Sequence, residues 1–277
     1  MCETMNIGGE LRVFNKPLTM GILNLTDDSF YSGSRVAGNE SILQKATQML
    51  DEGAEILDLG AYSTRPGADD ISEKQETERL IDGIKVVKDM YPHAIISADT
   101  FRASVARKAV CAGASIINDV GSGILDKEMF DTVAELGVPY VLMHNRGTPK
   151  NMNDKAVYQD VVSEVIFELS EKIDSLRRKG LTDIIIDPGF GFAKTVEHNF
   201  EMLRRLGEFK MLESPLLVGI SRKSMIWRTL ETTPEEALNG TTALNMLALE
   251  RGAGILRVHD VREAKECIAL MQKVHVN

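Results

Sequence analysis

What most constrains this chain is a rhythm. Eight short apolar, β-branched runs recur along it, at Leu18–Asn24, Glu55–Leu59, Ala94–Asp99, Ser115–Asp119, Val138–His144, Asp183–Asp187, Pro215–Ser221 and Gly254–His259, separated by longer amphipathic stretches. Strands joined by helices must lie parallel in one sheet, because parallel neighbours cannot be linked by a tight turn. The stretches between them carry apolar residues near a 3.6-residue spacing. Leu80, Ile84, Val87 and Tyr91 form one such series, and Ser72 to Gln75 ahead of them read as a capping box. Gly53, Gly113, Gly137, Gly180 and Gly252 each end a helical run just before a strand, where a left-handed helix terminus favours glycine. No low-complexity segment or linker interrupts the pattern. The reading is α/β: a single (β/α)8 TIM barrel over residues 18–277, with a doubly wound open sheet as the weaker alternative. Residues 1–17 form an N-terminal extension expected on or near the barrel floor, as a small hairpin or as a tail.

Composition fits a chain with a packed core. Of 277 residues 43% are hydrophobic, 26% are charged and only 8 are prolines, which excludes disordered and collagenous classes. Cys2, Cys111 and Cys267 are too few and too scattered for a disulfide framework, and none lies in a CxxC pair. No apolar h-region opens the chain and no apolar run approaches the roughly 18 residues of a membrane span, so a soluble cytoplasmic protein with no membrane partner is expected. A net charge of −9 and the lack of a Lys/Arg block argue against nucleic acid. An anionic substrate would require cations concentrated locally.

In a (β/α)8 barrel the catalytic groups sit at the C-terminal ends of the strands. Polar residues recur there: Asn24, Asp58, Asp99, Asn118 with Asp119, His144, Asp187, Ser221 to Lys223, and Arg257 with His259. Any one of them is explained as well by a helix cap or a strand-end hydrogen bond. Their occurrence after all eight strands is harder to explain that way.

These residues fall in motifs with a family likeness. Met20 to Phe30 (MGILNLTDDSF), Ser63 to Ala68 (STRPGA), Asp99-Thr100, Ile117 to Val120 (INDV), Met143 to Pro149 (MHNRGTP), Asp187 to Thr195 (DPGFGFAKT), Ser221 to Ser224 (SRKS) and Arg257 to His259 (RVH) resemble, in order, the motifs of the dihydropteroate synthase family. The resemblance implies condensation of 6-hydroxymethyl-7,8-dihydropterin pyrophosphate with p-aminobenzoate, giving 7,8-dihydropteroate and pyrophosphate in folate synthesis. It implies that Asp99, Asn118, Asp187 and Lys223 line the pterin site. It also implies that Asn24 binds Mg2+ together with the diphosphate and that Thr64 and Arg65 lie near that group. Phe30, Thr64, Pro66 and Phe192 would shape a p-aminobenzoate pocket, sulfonamides would be inhibitors, and the enzyme would be a homodimer.

The chemistry of the residues supports this independently. A pterin presents a flat edge with several N–H donors, so its pocket needs buried carboxylate and amide acceptors. Asp187 suits that role, although a strand-end turn with Pro188 and Gly189 is the competing explanation. Asn118 suits it too, with an Asx cap as the alternative. Met143 would pack on the ring or simply on the core. Arg257 and His259 stand two residues apart on the last strand and project to the same side, where barrels often bind phosphate. Ser221, with nearby backbone N–H groups and Arg222, is placed to hold a carboxylate.

An electron-rich dihydropterin stabilises a cation on its methylene carbon, which permits an SN1-like departure of diphosphate. Asp99 and Asp187 would face the cation, while Arg257, His259 and Mg2+ face the leaving group. The catalytic set is thus Asp99, Asp187, Lys223, Arg257 and His259.

The sequence departs from the family at Asp27, where proline is usual, at Ser34-Arg35, and at Tyr62 before the second-loop motif. Two rivals stand beside this reading. A methyltetrahydrofolate:corrinoid methyltransferase-like barrel would share the pterin acceptors but need none of the Ser63–Pro66, Ser221–Ser224 and Arg257/His259 segments. A non-catalytic pterin-binding paralogue would keep the pocket alone.

Overall fold

A computed structural model of the chain describes residues 3–25, 35–62, 70–148 and 151–274. An antiparallel hairpin comes first, β1 (Glu3–Ile7) and β2 (Glu10–Phe14). Eight parallel strands follow: β3 (Leu18–Asn24), β4 (Ile56–Gly60), β5 (Ile95–Asp99), β6 (Ile116–Asp119), β7 (Tyr140–Met143), β8 (Ile184–Asp187), β9 (Leu217–Val218) and β10 (Ile255–Val258). Their hydrogen-bonded order is β8-β7-β6-β5-β4-β3-β10-β9, and a parallel bridge between Ile186 and Leu216 joins the two ends. The sheet therefore closes on itself as a (β/α)8 barrel.

The helices between the strands are α1 (Arg35–Asp51), α2 (Glu73–Met90), α3 (Ala103–Cys111), α4 (Met129–Leu136), α5 (Val161–Arg178), α6 (Val196–Arg204), α7 (Ser224–Thr229), α8 (Leu238–Glu250) and α9 (Val261–Val274). Their starts are chemically marked. The Ser72 hydroxyl accepts the Gln75 amide at 3.2 Å while the Gln75 side chain accepts the Ser72 amide at 3.0 Å, closing the capping box read from the sequence. Asp160 caps α5 by accepting from the amides of Val162 and Ser163. The five glycines that punctuate the sequence all have positive φ, between 62° and 115°.

Two buried layers result. Outward residues such as Leu57, Leu59, Ile96, Ile117 and Ile186 pack on helix residues such as Leu80, Ile84, Val165 and Leu169. Inward residues Met20, Ile56, Ile95, Ile116, Val141, Ile185, Leu217 and Ile255 form a second cluster, which Met5 and Ile7 of the hairpin complete. The N-terminal extension is thus a hairpin seated under the barrel, with Met5 and Ile7 each only 3% exposed.

Two residues further along the strands, roughly 7 Å at the rise of a strand, the inward positions become polar. Asp58 follows Ile56, Asn118 follows Ile116, Asp187 follows Ile185 and Arg257 follows Ile255. The apolar floor and the polar mouth share one strand register. β9 is shorter than the sequence run suggests, because the chain leaves the ladder at Gly219 to bring Ser221 against His259.

If the hairpin contributes to the core as its burial indicates, Ile7→Ala should cost about 2–4 kcal/mol of stability, read from urea unfolding. A loss near zero would mean that the hairpin is a passive tail.

Candidate active site

The C-terminal mouth of the barrel holds a cavity of about 660 Å3. Asn24 from β3, Asp99 from β5, Asn118 from β6, Met143 from β7, Asp187 from β8, Ser221 to Lys223 after β9, and Arg257 and His259 from the end of β10 all line it, with Phe192 at the wall. Eleven predicted site residues fall within the described regions, and the fold brings them to one place. Phe30, Thr64, Arg65 and Pro66 lie outside the described residues, as does Asp27.

At the base of the cavity one cation meets two carboxylates. Arg257 donates from Nε to Asp58 Oδ2 at 2.6 Å and from Nη2 to Asp99 Oδ2 at 2.7 Å. Asp58 is fully enclosed; its Oδ2 also accepts from Asn118 Nδ2 at 3.0 Å, and its Oδ1 finds no donor among the described residues. Burial opposes the Arg257 charge, but the two aspartates more than compensate and hold its pKa above the usual guanidinium range. Burial raises Asp99 to about 7; Arg257 opposes this, and Asp58, competing for the same guanidinium, reinforces it.

Asp187 serves both roles read from the sequence. Its Oδ1 accepts the Gly189 amide at 2.8 Å, making the strand-end turn, while the residue still lines the cavity. Burial raises its pKa, opposed first by Lys223. Lys223 is lowered to about 8 by burial, with Asp187 acting against that. The lysine donates to the Phe190 carbonyl, and its Nζ sits 4.6 Å from the centre of the Phe192 ring. Lys223 is thereby brought toward neutral pH, a property common at reactive sites.

The Asx turn proposed as an alternative for Asn118 belongs to its neighbour. Asp119 accepts from the amides of Gly121 and Gly123 and from the Tyr140 hydroxyl, which leaves Asn118 turned inward. Ser221 Oγ accepts the His259 amide at 3.2 Å and lies 3.0 Å from His259 Nδ1, so the hydroxyl is engaged with the histidine. Arg222 lines the cavity with its charge already matched. It forms a two-pronged pair with Asp260 at 2.8 and 2.9 Å and donates to the carbonyls of Pro234 and Glu235. A ligand carboxylate would share that guanidinium with Asp260.

Two residues of the site are not in the set predicted from sequence. Asp58 was visible as a lone acid inside the apolar run Ile56–Gly60, at the inward register of β4, but its partner Arg257 lies 199 positions away. Lys194 ends the Asp187–Thr195 motif and is 8% exposed, donating to Gly189, Phe192 and His144. Nothing local marks a lysine as buried. Asn24 is exposed at the end of β3, and no cluster of three or more His, Cys, Asp or Glu suited to a metal occurs among the described residues. No helix among them is long and apolar enough to cross a membrane.

Comparison with known proteins gives one answer. The family model described as pterin binding enzyme matches residues 20–259. Dihydropteroate synthase of Escherichia coli K12 is 40% identical over 258 residues, covering 92% of this chain and 91% of that protein. A solved structure of Xanthomonas albilineans dihydropteroate synthase with 4-aminobenzoic acid superposes with a TM-score of 0.91 at 36% identity, over 100% of both chains. A Yersinia pestis dihydropteroate synthase complexed with a sulfonamide drug gives 0.90 at 35% identity, over 98% of each chain.

Gly189 is a sensitive point of the geometry. Its φ is +72°, and a Cβ there would collide with the carbonyl oxygen of His144. Gly189→Ala should therefore lose about 3 kcal/mol or more of stability, measured by urea unfolding. A variant as stable as the parent would show that the turn can rearrange.

Proposed function

This chain belongs to the pterin-binding enzyme family, and from that premise we propose that it is a dihydropteroate synthase, an alkyl-group transferase of folate synthesis. It joins 6-hydroxymethyl-7,8-dihydropterin pyrophosphate to p-aminobenzoate and releases pyrophosphate. The observation that carries the reading is that one cavity holds both kinds of group: Asp99, Asp187 and Asn118 offer acceptors, while Arg257, Lys223 and His259 offer donors. A pterin edge and an anionic leaving group need these two sets together. The methyltransferase-like alternative has no use for Lys223 and His259 at the mouth, and a binding-only paralogue has no use for an anion site.

Asn118 and Asp187 accept from the pterin N–H edge, Met143 packs on its face, and Lys223 donates to its carbonyl side. Arg257 and His259 hold the diphosphate as its bond to the methylene carbon lengthens. Asp99 and Asp187 stabilise the positive charge that develops on that carbon, an interaction strongest at the transition state. The neutral arylamine then attacks that carbon, forming the C–N bond and losing one N–H proton to water or the departed pyrophosphate, so no strong base is needed to activate it. Phe192, Ser221 and Arg222 form the described part of the p-aminobenzoate subsite, to which the family resemblance also assigns Phe30, Thr64 and Pro66. Support for that subsite comes from the bound 4-aminobenzoic acid of the Xanthomonas enzyme, and the Yersinia sulfonamide complex supports sulfonamides occupying it here.

Mg2+ fits the mouth. The Asn24 side-chain amide is a single hard oxygen ligand, suited to an ion that keeps waters and phosphate oxygens in its shell. When bound, Mg2+ would neutralise part of the diphosphate charge, in company with Arg65. The enzyme is cytoplasmic and homodimeric in this reading. Leu247 on α8 and Leu270 on α9, both exposed on neighbouring helices, offer apolar surface for a second copy.

Purified protein given both substrates and Mg2+ should release pyrophosphate, and omitting either substrate should abolish dihydropteroate formation. Silence under every metal condition would refute the synthase reading. The raised Asp99 pKa predicts a pH profile as well. Catalysis needs the carboxylate, so kcat/KM should fall as pH drops through about 7. Asp58→Asn removes the competing carboxylate and should move that acidic limb to lower pH; an unmoved limb would assign it to another group.

A further inference from the structure

Behind the cavity wall lies a buried polar chain that the reaction does not touch. Lys194 Nζ donates to the carbonyls of Gly189 at 3.1 Å and Phe192 at 3.0 Å, and it lies 2.9 Å from His144 Nδ1. His144 is fully enclosed, and its Nε2 lies 3.1 Å from Glu168 Oε2. Glu168 Oε1 accepts from Arg146 Nε at 2.9 Å. Arg146 stacks 4.0 Å from the centre of the Tyr158 ring, and the Tyr158 hydroxyl donates back to the Ala193 carbonyl at 3.0 Å. The network begins and ends on the same turn, residues 188–193.

The proton count fixes its state. An ammonium has three N–H donors, and here three acceptors surround it: two carbonyls and one ring nitrogen. If His144 Nδ1 accepts, its Nε2 must carry the hydrogen that Glu168 receives, so the imidazole is neutral with one defined tautomer. For the histidine the titration tendency agrees, and below pH 7 the lysine carries its charge. Burial lowers His144 to about 3, helped by Lys194 and Lys172 and opposed by Glu168. Burial lowers Lys194 to about 7, with Asp187 and Glu168 working against this and Lys223 and Arg146 with it.

The cavity face of the same turn carries Phe192 and, through the Phe190 carbonyl, the ammonium of Lys223. We propose that Lys194 is a positioning residue for pterin binding: held from behind by His144 and Glu168, its ammonium fixes the 188–193 turn and thereby the placement of Lys223 beside Asp187. Lys194 reaches no substrate itself. A neutral side chain in its place would strand the Phe192 carbonyl and a ring nitrogen in a dry interior and leave the Gly189 carbonyl with the Phe192 amide as its remaining donor, and the turn would relax to find other donors. The proposal rests on the pterin-site reading.

The test uses Lys194→Met, which keeps the length of the side chain and removes its donors. Titration calorimetry with 6-hydroxymethylpterin should show binding to the parent protein and binding weaker by about tenfold or more in the variant. The variant's KM for the pterin substrate should rise with it. Long-range 1H–15N spectra of the parent at pH 6, with His144 assigned from the His144→Gln spectrum, should show Nδ1 unprotonated and hydrogen-bonded and Nε2 protonated. This measurement stands even if the variant fails to fold.

Pterin affinity within about twofold of the parent, or a protonated Nδ1 in the parent, would overturn the proposal. A parent protein that binds no pterin but shows the expected tautomer would overturn the pterin-site reading, and with it the functional role of Lys194, while leaving the hydrogen-bond network intact.

Discussion

Two carboxylates from neighbouring strands share one guanidinium, and the geometry of the mouth depends on that sharing. Arg257 on β10 reaches past β3 to Asp58 on β4 and Asp99 on β5, so a single side chain spans three of the eight strand-to-strand steps of the barrel. Burying three charges is expensive, and such a group is weak evidence for stability by itself. Its value here lies in direction. With Asp58 fully enclosed and also bound to Asn118, Arg257 is held in one orientation before any anion arrives. Preorganised charge of this kind costs no rearrangement when a leaving group departs.

The same economy of position resolves the overall charge. A chain of net charge −9 is poorly matched to anionic substrates as a whole, yet the field inside the cavity depends on which residues sit at the strand ends. Lys223, Arg257 and His259 gather on the side fed by β9 and β10, whereas Asp99, Asn118 and Asp187 come from β5, β6 and β8. Strand order sets where the two sets meet, Arg257 on Asp99 and Lys223 beside Asp187. Helix α5 works behind it, with Glu168 on His144 and Lys172 on Ser122 Oγ at 2.6 Å, so an outer helix stiffens the loops after β6 and β7.

Much of this was legible without coordinates. A period of two along each strand places Ile56, Ile116, Ile185 and Ile255 inward, and Asp58, Asn118, Asp187 and Arg257 inward one step later, since alternate side chains share a face. The helix ends were legible too: Ser72 with Gln75 and the five glycines are local features whose chemistry acts within four residues. Asp58 as the partner of Arg257, and Lys194 as a buried ammonium, were not. Both depend on residues far apart in the chain, and burial of a charged group leaves no mark on its own sequence neighbourhood. Arg222 is a further case: its motif suggests an anion ligand, and the structure adds Asp260 as a partner that no local signal marks.

The amino-acid sequence by itself determined the class of fold, the inward register of the site residues and the set of strand ends that meet at one mouth, because strand alternation, helix caps and left-handed glycines are short-range effects. Only the tertiary structure decided how those residues share charge. Closing the barrel sets the distances among Asp58, Asp99 and Arg257, seats Met5 and Ile7 beneath the floor, and turns Lys194 inward against His144. Electrostatic coupling and desolvation depend on separation and burial in space, and neither quantity exists until the last strand meets the first.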